Sequence, residues 1–154
     1  MFVHSSMTYF GDFRLTFAPK LSVMEFINQR ICMGKDLGVH GNLFGGNMLS
    51  WIDEAAGTMA ASVCQSPNMV TIKIDEVVFR KAVKVGYIIK IYGKVCKMGR
   101  TSVTLKVEAR KHNVITQEEI TVCETEITFV RIDEYGDPSQ IPQNVRDTYA
   151  KFAK

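Results

Sequence analysis

The residues of this chain best placed to do chemistry lie in "HGNLFGGNMLSWIDEAAG", residues 40–57. Gly45 and Gly46 stand at the start of a run with helical apolar spacing, and Asp53 follows within it. The first N–H groups of a helix lack internal partners and carry partial positive charge. Without Cβ atoms at Gly45 and Gly46, a ligand can approach these amides, which suit an anion or a developing oxyanion. Two glycines also serve a plain tight turn. No G-K-[ST] follows them, so the pair is not a phosphate-binding P-loop. Asp53 falls at the edge of the apolar stripe, beside Leu49, Ala56, Gly57 and Ala60, whose small members leave a pocket. Burying a carboxylate there costs free energy and needs a reason. Asp53 reads as a general base or nucleophile in a partly dry cleft, or as a structural hydrogen-bond acceptor. Glu54 lies nearly opposite the stripe and reads as a polar contact or a solvated side chain.

Spacing constrains how the two features can cooperate. Gly45 and Asp53 are separated by about 12 Å along a helix axis. An attacking group must come within about 3–3.5 Å of its carbonyl. Asp53 therefore cannot serve a carbonyl held at its own helix entrance. A second copy of the helix, packed antiparallel, brings its Asp53 alongside, which predicts a twofold dimer with two sites.

Other candidates are weaker. His40 reads as a substrate contact or a surface residue, and His4, His40 and His112 show no metal-ligand spacing. Ser50 lacks the G-x-S-x-G elbow and Cys64 lacks an obvious partner, so both read as structural. Gly99-Arg100-Thr101-Ser102 joins a cation to two hydroxyls, suited equally to a phosphate or to a plain hairpin turn.

These residues need elements to hold them. The pattern predicts a strand over 24–33, a polar loop over 34–46 and a helix from 44 or 47 to 64. Met48, Ile52, Ala56, Met59 and Val63 lie along that helix's apolar face, and Ser66 and Pro67 end it. Alternation predicts strands over 70–79, 87–98, 101–111 and 118–131, with turns at Gly99 and Asn113. A short helix over 142–152 starts at Pro142. One helix covers such a set of strands only if the sheet curls around it. The expectation is an α+β fold with a curved antiparallel five-stranded sheet wrapped around a central helix.

The chain has 154 residues, the size of a single domain, with 46% hydrophobic and 23% charged residues. A net charge of +3 without a basic run gives no nucleic-acid surface. No stretch approaches the roughly 18 apolar residues of a membrane span, and the first twenty residues do not read as a secretory signal. Cys32, Cys64, Cys96 and Cys123 are scattered without a C-x-x-C pair, as expected for free thiols in the reducing cytoplasm. The chain divides into an N-terminal extension (1–23), with Met7 and Met24 as alternative starts, a domain (24–132) and a tail with a short helix (133–154).

The 40–57 stretch resembles the leading loop and central helix of the hotdog-fold acyl-CoA thioesterases, the acyl-CoA hydrolase family. Their pattern runs roughly N-x-x-G-[DN]-x-F-G-G-x-[IVM]-[LM]-x-x-[MI]-[DE]-x-x-[AG]. "VTIKIDEVVFRKAVKVG" and "KMGRTSVTLKVEA" are similar to the family's next strand, connector and hairpin, so the resemblance covers about 24–131. It implies that Asp53 is the catalytic carboxylate. It implies that Asn42, Gly45 and Gly46 form the loop whose backbone N–H groups polarise the thioester carbonyl, with the two elements on opposite subunits. Arg100, Thr101 and Ser102 match a turn near the nucleotide end of coenzyme A. The implied substrate is an acyl-CoA, with no cofactor because coenzyme A belongs to the substrate. The implied assembly is a double-hotdog homodimer that builds further to a hexamer. The chain departs from the family at Ala82, where proline is frequent, at Tyr87, where aspartate is frequent, and at His40, where some members have asparagine. Two rivals remain. His40 and Asp36 invite comparison with hydratases and dehydratases of the same fold, although their proline-rich histidine motif is missing. A non-catalytic acyl-CoA-binding module is the other, and the retained Asp53 argues against it.

Overall fold

The computed structural model describes residues 23–152, so the N-terminal extension, apart from Val23, lies outside the described residues. Seven-residue strand β1 (Glu25–Ile31) is followed by a looping segment and then by α1 (Gly45–Cys64). The strands β2 (Met69–Ile74), β3 (Val78–Phe79), β4 (Ile88–Met98), β5 (Ser102–His112) and β6 (Glu119–Arg131) come next, then α2 (Gln143–Thr148). The sheet is antiparallel with order β1-β4-β5-β6-β2, and β3 also pairs with β6.

Alternation along β4, β5 and β6 puts one face of the sheet onto α1. Ile89, Ile91, Val103, Leu105, Val107, Ala109, Ile127 and Phe129 are buried there, against Met48, Ile52, Ala56 and Ala60 of the helix. Met59 and Val63 pack against the same core. The helix starts at Gly45, inside the expected window, and ends where Gln65 turns into the left-handed region at φ 50°.

The expected α+β arrangement stands, with a sixth strand. The segment read as one strand over 70–79 is interrupted. Asp75 donates its N–H to the Glu126 carbonyl, and pairing with β6 resumes only at Val78. The C-terminal helix is shorter than 142–152, since a 3-10 turn (Ala150–Phe152) follows α2. Ile141 and Val145 are buried in the core, so the segment after β6 packs into the domain. All four cysteines are free.

Among the described residues two edges of the sheet carry no further strand. β2 is one, with Val70, Thr71, Ile72 and Lys73 exposed, and β1 is the other. Among the described residues no helix is long and apolar enough to cross a membrane.

Candidate active site at the entrance of the central helix

The loop before α1 is held by backbone bonds. Leu37 and Leu43 form an isolated antiparallel bridge, Gly38 N–H donates to the Asn42 carbonyl at 2.8 Å, and Phe44 N–H donates to the Asp36 carbonyl at 2.9 Å. Leu43 N–H reaches the Val83 carbonyl at 2.8 Å, tying the loop to the connector between β3 and β4. The Asn47 carboxamide donates to the Asp36 carbonyl at 3.0 Å. These bonds fix the direction of the first turn of α1. There Asn47 and Met48 N–H groups bond the Phe44 carbonyl, while those of Gly45 and Gly46 have no acceptor among the described residues. Two free amides at a helix N-terminus make an electropositive point.

Each glycine lies against an aromatic ring. A Cβ on Gly46 would stand 2.5 Å from the Phe44 ring, and one on Gly45 would stand 3.4 Å from the Phe79 ring. Both rings are about half exposed, at 57% and 53%. Beside Gly45 opens a cleft of about 320 Å³ between Asn42, Met48, Phe79, Arg80, Lys81 and Val83. The Asn42 Oδ1 is buried without a hydrogen-bond partner among the described residues. An unpaired buried acceptor is costly and is resolved by a donor from a ligand, a water or another chain.

Asp53 does not line this cleft. It is half-buried on the side of α1 facing the free edge, where its Oδ1 accepts the Thr71 hydroxyl of β2 at 2.8 Å. One chain thus keeps its carboxylate and its free amides apart, as the helical spacing demands. Thr71 is a partner that the sequence reading did not single out. It lies in another element, and only the chain's return along β2 brings it to Asp53. Glu54 pairs with Arg30 of β1, whose guanidinium also lies 5.8 Å from the centre of the Trp51 ring. That is the polar contact expected for Glu54.

The turn before β5 is a tight hairpin: Gly99 N–H donates to the Ser102 carbonyl at 2.8 Å, and a Cβ on Gly99 would meet Ser102 Oγ at 2.7 Å. Arg100 is exposed. Arg131 N–H donates to the Thr101 carbonyl, and Arg131 Nε reaches Ser66 Oγ at 3.3 Å, so the turn sits at the C-terminal end of α1. With 20 residues, that helix is about 30 Å long. The structure therefore does not bring Arg100, Thr101 and Ser102 to the cleft of their own chain. Their end of α1 lies about 17 Å past the level of Asp53.

The remaining candidates are placed away from the chemistry. His40 is exposed and not part of the cleft lining. His112 Nδ1 stands 3.6 Å from Glu119 at the end of β5, and no cluster among the described residues is arranged to hold a metal. Burial pushes the Cys64 thiol up to about 11, and the same cause pushes Cys123 to about 11. Neither is an activated nucleophile.

Comparison with known proteins decides the family. A family model described as the thioesterase superfamily matches residues 40–116, half of the chain, including the loop, α1 and the β4–β5 hairpin. The chain belongs to the thioesterase superfamily. A relative from Zymomonas mobilis, named an uncharacterized acyl-CoA thioester hydrolase, is 34% identical over 112 residues, covering 73% of this chain and 74% of its own. The solved hexameric hotdog-fold thioesterase of Campylobacter jejuni superposes with a TM-score of 0.73 at 33% identity, covering 82% of this chain and 96% of that one. An acyl-CoA hydrolase from Staphylococcus aureus, solved with butyryl coenzyme A and coenzyme A, gives 0.72 at 26% identity, covering 82% and 80%. That protein has also been solved as single asparagine-to-alanine and aspartate-to-alanine variants. The fold of this superfamily member is the hotdog.

Proposed function

We propose that the protein hydrolyses acyl-CoA thioesters to a free carboxylic acid and coenzyme A, at sites shared by two copies of the chain. The observation that carries the reading is the division of labour along α1. Gly45 and Gly46 offer unpaired amides at its start, and Asp53 is aimed by Thr71 at the open β2 edge. If β2 of a second copy adds antiparallel to that edge, the twofold axis runs perpendicular to the sheet. Both helices then lie on one face, antiparallel, and Asp53 of each approaches the loop of the other. The exposed Val70, Ile72, Phe44 and Phe79 support such a contact. The hexameric relatives support further assembly of the dimers.

The thioester carbonyl accepts hydrogen bonds from the Gly45 and Gly46 N–H groups, with Asn42 shaping the wall of the cleft. Charge developing on that oxygen is stabilised by about 3–4 kcal/mol per donor in comparable sites. Asp53 takes a proton from the attacking water, or attacks to give a mixed anhydride that water opens, a contribution of about 10²–10⁴-fold for the base route. The Thr71 hydroxyl occupies Oδ1 and leaves Oδ2 for this work. Coenzyme A enters as part of the substrate, and the reaction as written calls for no further cofactor. Arg100, Thr101 and Ser102 of the chain supplying Asp53 take the nucleotide end. The four free thiols support a reducing cytoplasmic setting.

The test is Asp53→Asn assayed by thiol release across acyl-CoA chain lengths. A loss of at least about a hundredfold in kcat is expected, with the dimer intact by size-exclusion chromatography. Wild-type rates on every substrate that the parent cleaves would remove Asp53 from the reaction.

A further inference from the structure

The cleft mouth carries a set of cations that neither the catalytic chemistry nor the Arg100 turn uses. The connector from β3 to β4 reads Arg80-Lys81-Ala82-Val83-Lys84. Arg80 is neutralised by an ion pair with Glu124, whose carboxyl this guanidinium holds below its usual range. Lys81, on the cleft lining, and Lys84 are exposed and pair with no acid among the described residues. The connector is stitched to the chain after β1, since Gly86 N–H donates to the Cys32 carbonyl and Cys32 N–H to that of Tyr87. This brings exposed, unpaired Lys35 to the same end of the molecule. Lys111 joins it there, its ammonium 3.8 Å from the centre of the Tyr87 ring. The acids beside it include Asp36, whose carboxylate accepts the Met33 N–H, and Glu119 opposite His112, which accepts from Lys90 and Tyr92. The result is a rim with an excess of positive charge that begins at the cleft. Lys84 stands up to about 10 Å farther along the connector than Lys81.

We propose that this rim, with Lys81 and Lys84 at its centre, binds the phosphates of coenzyme A from the opposite wall to Arg100. The proposal rests on the thioesterase reading and its antiparallel pair of helices. In that arrangement Asp53 of one α1 lies level with Gly45 of the other, and the C-terminal end of the first α1 runs about 17 Å past that level. The Lys81–Lys84 rim of the copy that supplies Gly45 then stands where the path leaves the cleft, and the Arg100 turn of the copy that supplies Asp53 stands farther out along it. Two basic elements from different copies flank one exit path, and the pantetheine arm carries the phosphates outward between them. Point-charge lysines suit phosphates without demanding one geometry. Uncompensated cations at a cleft mouth also raise the encounter rate with an anionic substrate, more so at low salt.

The experiment is a Lys81→Ala/Lys84→Ala double variant, compared with the parent on butyryl-CoA and on S-butyryl-pantetheine, which lacks the phosphates. Both positions are exposed, and circular dichroism checks the fold. The expected result is a KM for butyryl-CoA raised by about tenfold, with kcat and the KM for the pantetheine substrate changed less than about twofold. The salt dependence of kcat/KM should shrink as well. Equal effects on the two substrates, or none on either, overturn the rim. Calorimetric titration of coenzyme A separates this failure from failure of the thioesterase reading. A parent that cleaves butyryl-CoA while parent and variant bind coenzyme A equally rejects only the rim. A parent that neither cleaves acyl-CoA nor binds coenzyme A rejects both.

Discussion

The proposed role of Asp53 needs its carboxylate held in one orientation, and the Thr71 hydroxyl donates to it at 2.8 Å. Thr71→Val keeps the shape and removes the donor. Its expected effect is a fall in kcat of about tenfold, with KM nearly unchanged, because the loss is felt at the base and not in ground-state binding. Steady-state kinetics on one acyl-CoA checks it, and a KM effect without a kcat effect would move Thr71 out of the mechanism. The position of Asp53 on the helix was legible in the sequence, since helical spacing alone puts it at the stripe's edge beside small residues. Thr71 was not, because nothing local connects a strand residue to a carboxylate in the preceding helix. The glycine pair was legible as a feature but not its cause. The Phe44 ring that crowds a Cβ on Gly46 is its sequence neighbour, whereas the Phe79 ring against Gly45 becomes visible only when the loop and β3 meet.

In the proposed reading one chain is half a site, and the elements account for it. α1 fixes the separation of amide and carboxylate, and β2 supplies the open edge next to the carboxylate. Open edges invite pairing, and charges placed on them prevent it. A Val70→Lys/Ile72→Lys variant should elute as a monomer and lose thioester hydrolysis, while its circular dichroism spectrum stays that of the parent. Full activity in a monomeric variant would refute the shared site. At this scale the sequence is closely legible. The helix limits fell within the expected window, and β4, β5 and β6 within a residue or so, because alternation against a buried helix leaves a strong pattern. The break between β2 and β3 was hidden. Asp75 sits in a continuous alternating run, and the interruption comes from how β6 pairs with both strands.

The molecule as a whole is a sheet curled around one helix, and its stability is tied to thiols that the chemistry does not use. Cys64 and Cys123 are buried, and burial raises both to about 11 from 9.0. A group with a folded value above its unfolded one contributes stability in full below the unfolded value and loses it as pH rises through the folded one. The melting temperature should therefore hold up to about pH 9 and fall between about pH 9 and 11. A Cys64→Ala/Cys123→Ala variant should show a shallower fall, which differential scanning fluorimetry across that range would detect. The curled single-helix architecture was legible because five strands and one long helix leave few ways to bury both. The Arg100 turn was assigned from resemblance, and its own Gly45 lies at the other end of α1, so its role belongs to the proposed pairing of two copies.

Each reaction centre is proposed to take its carboxylate from one copy and its amides from another. Complementation separates that arrangement from a site complete in one chain. Asp53→Asn and Gly46→Val chains, each inactive alone, are co-refolded in equal amounts and assayed on butyryl-CoA. The hybrid dimer has one complete site, so random reassortment predicts recovery of about a quarter of the parental activity. A mixture no more active than its components, with hybrids shown to be present by mass spectrometry, would contradict the shared site.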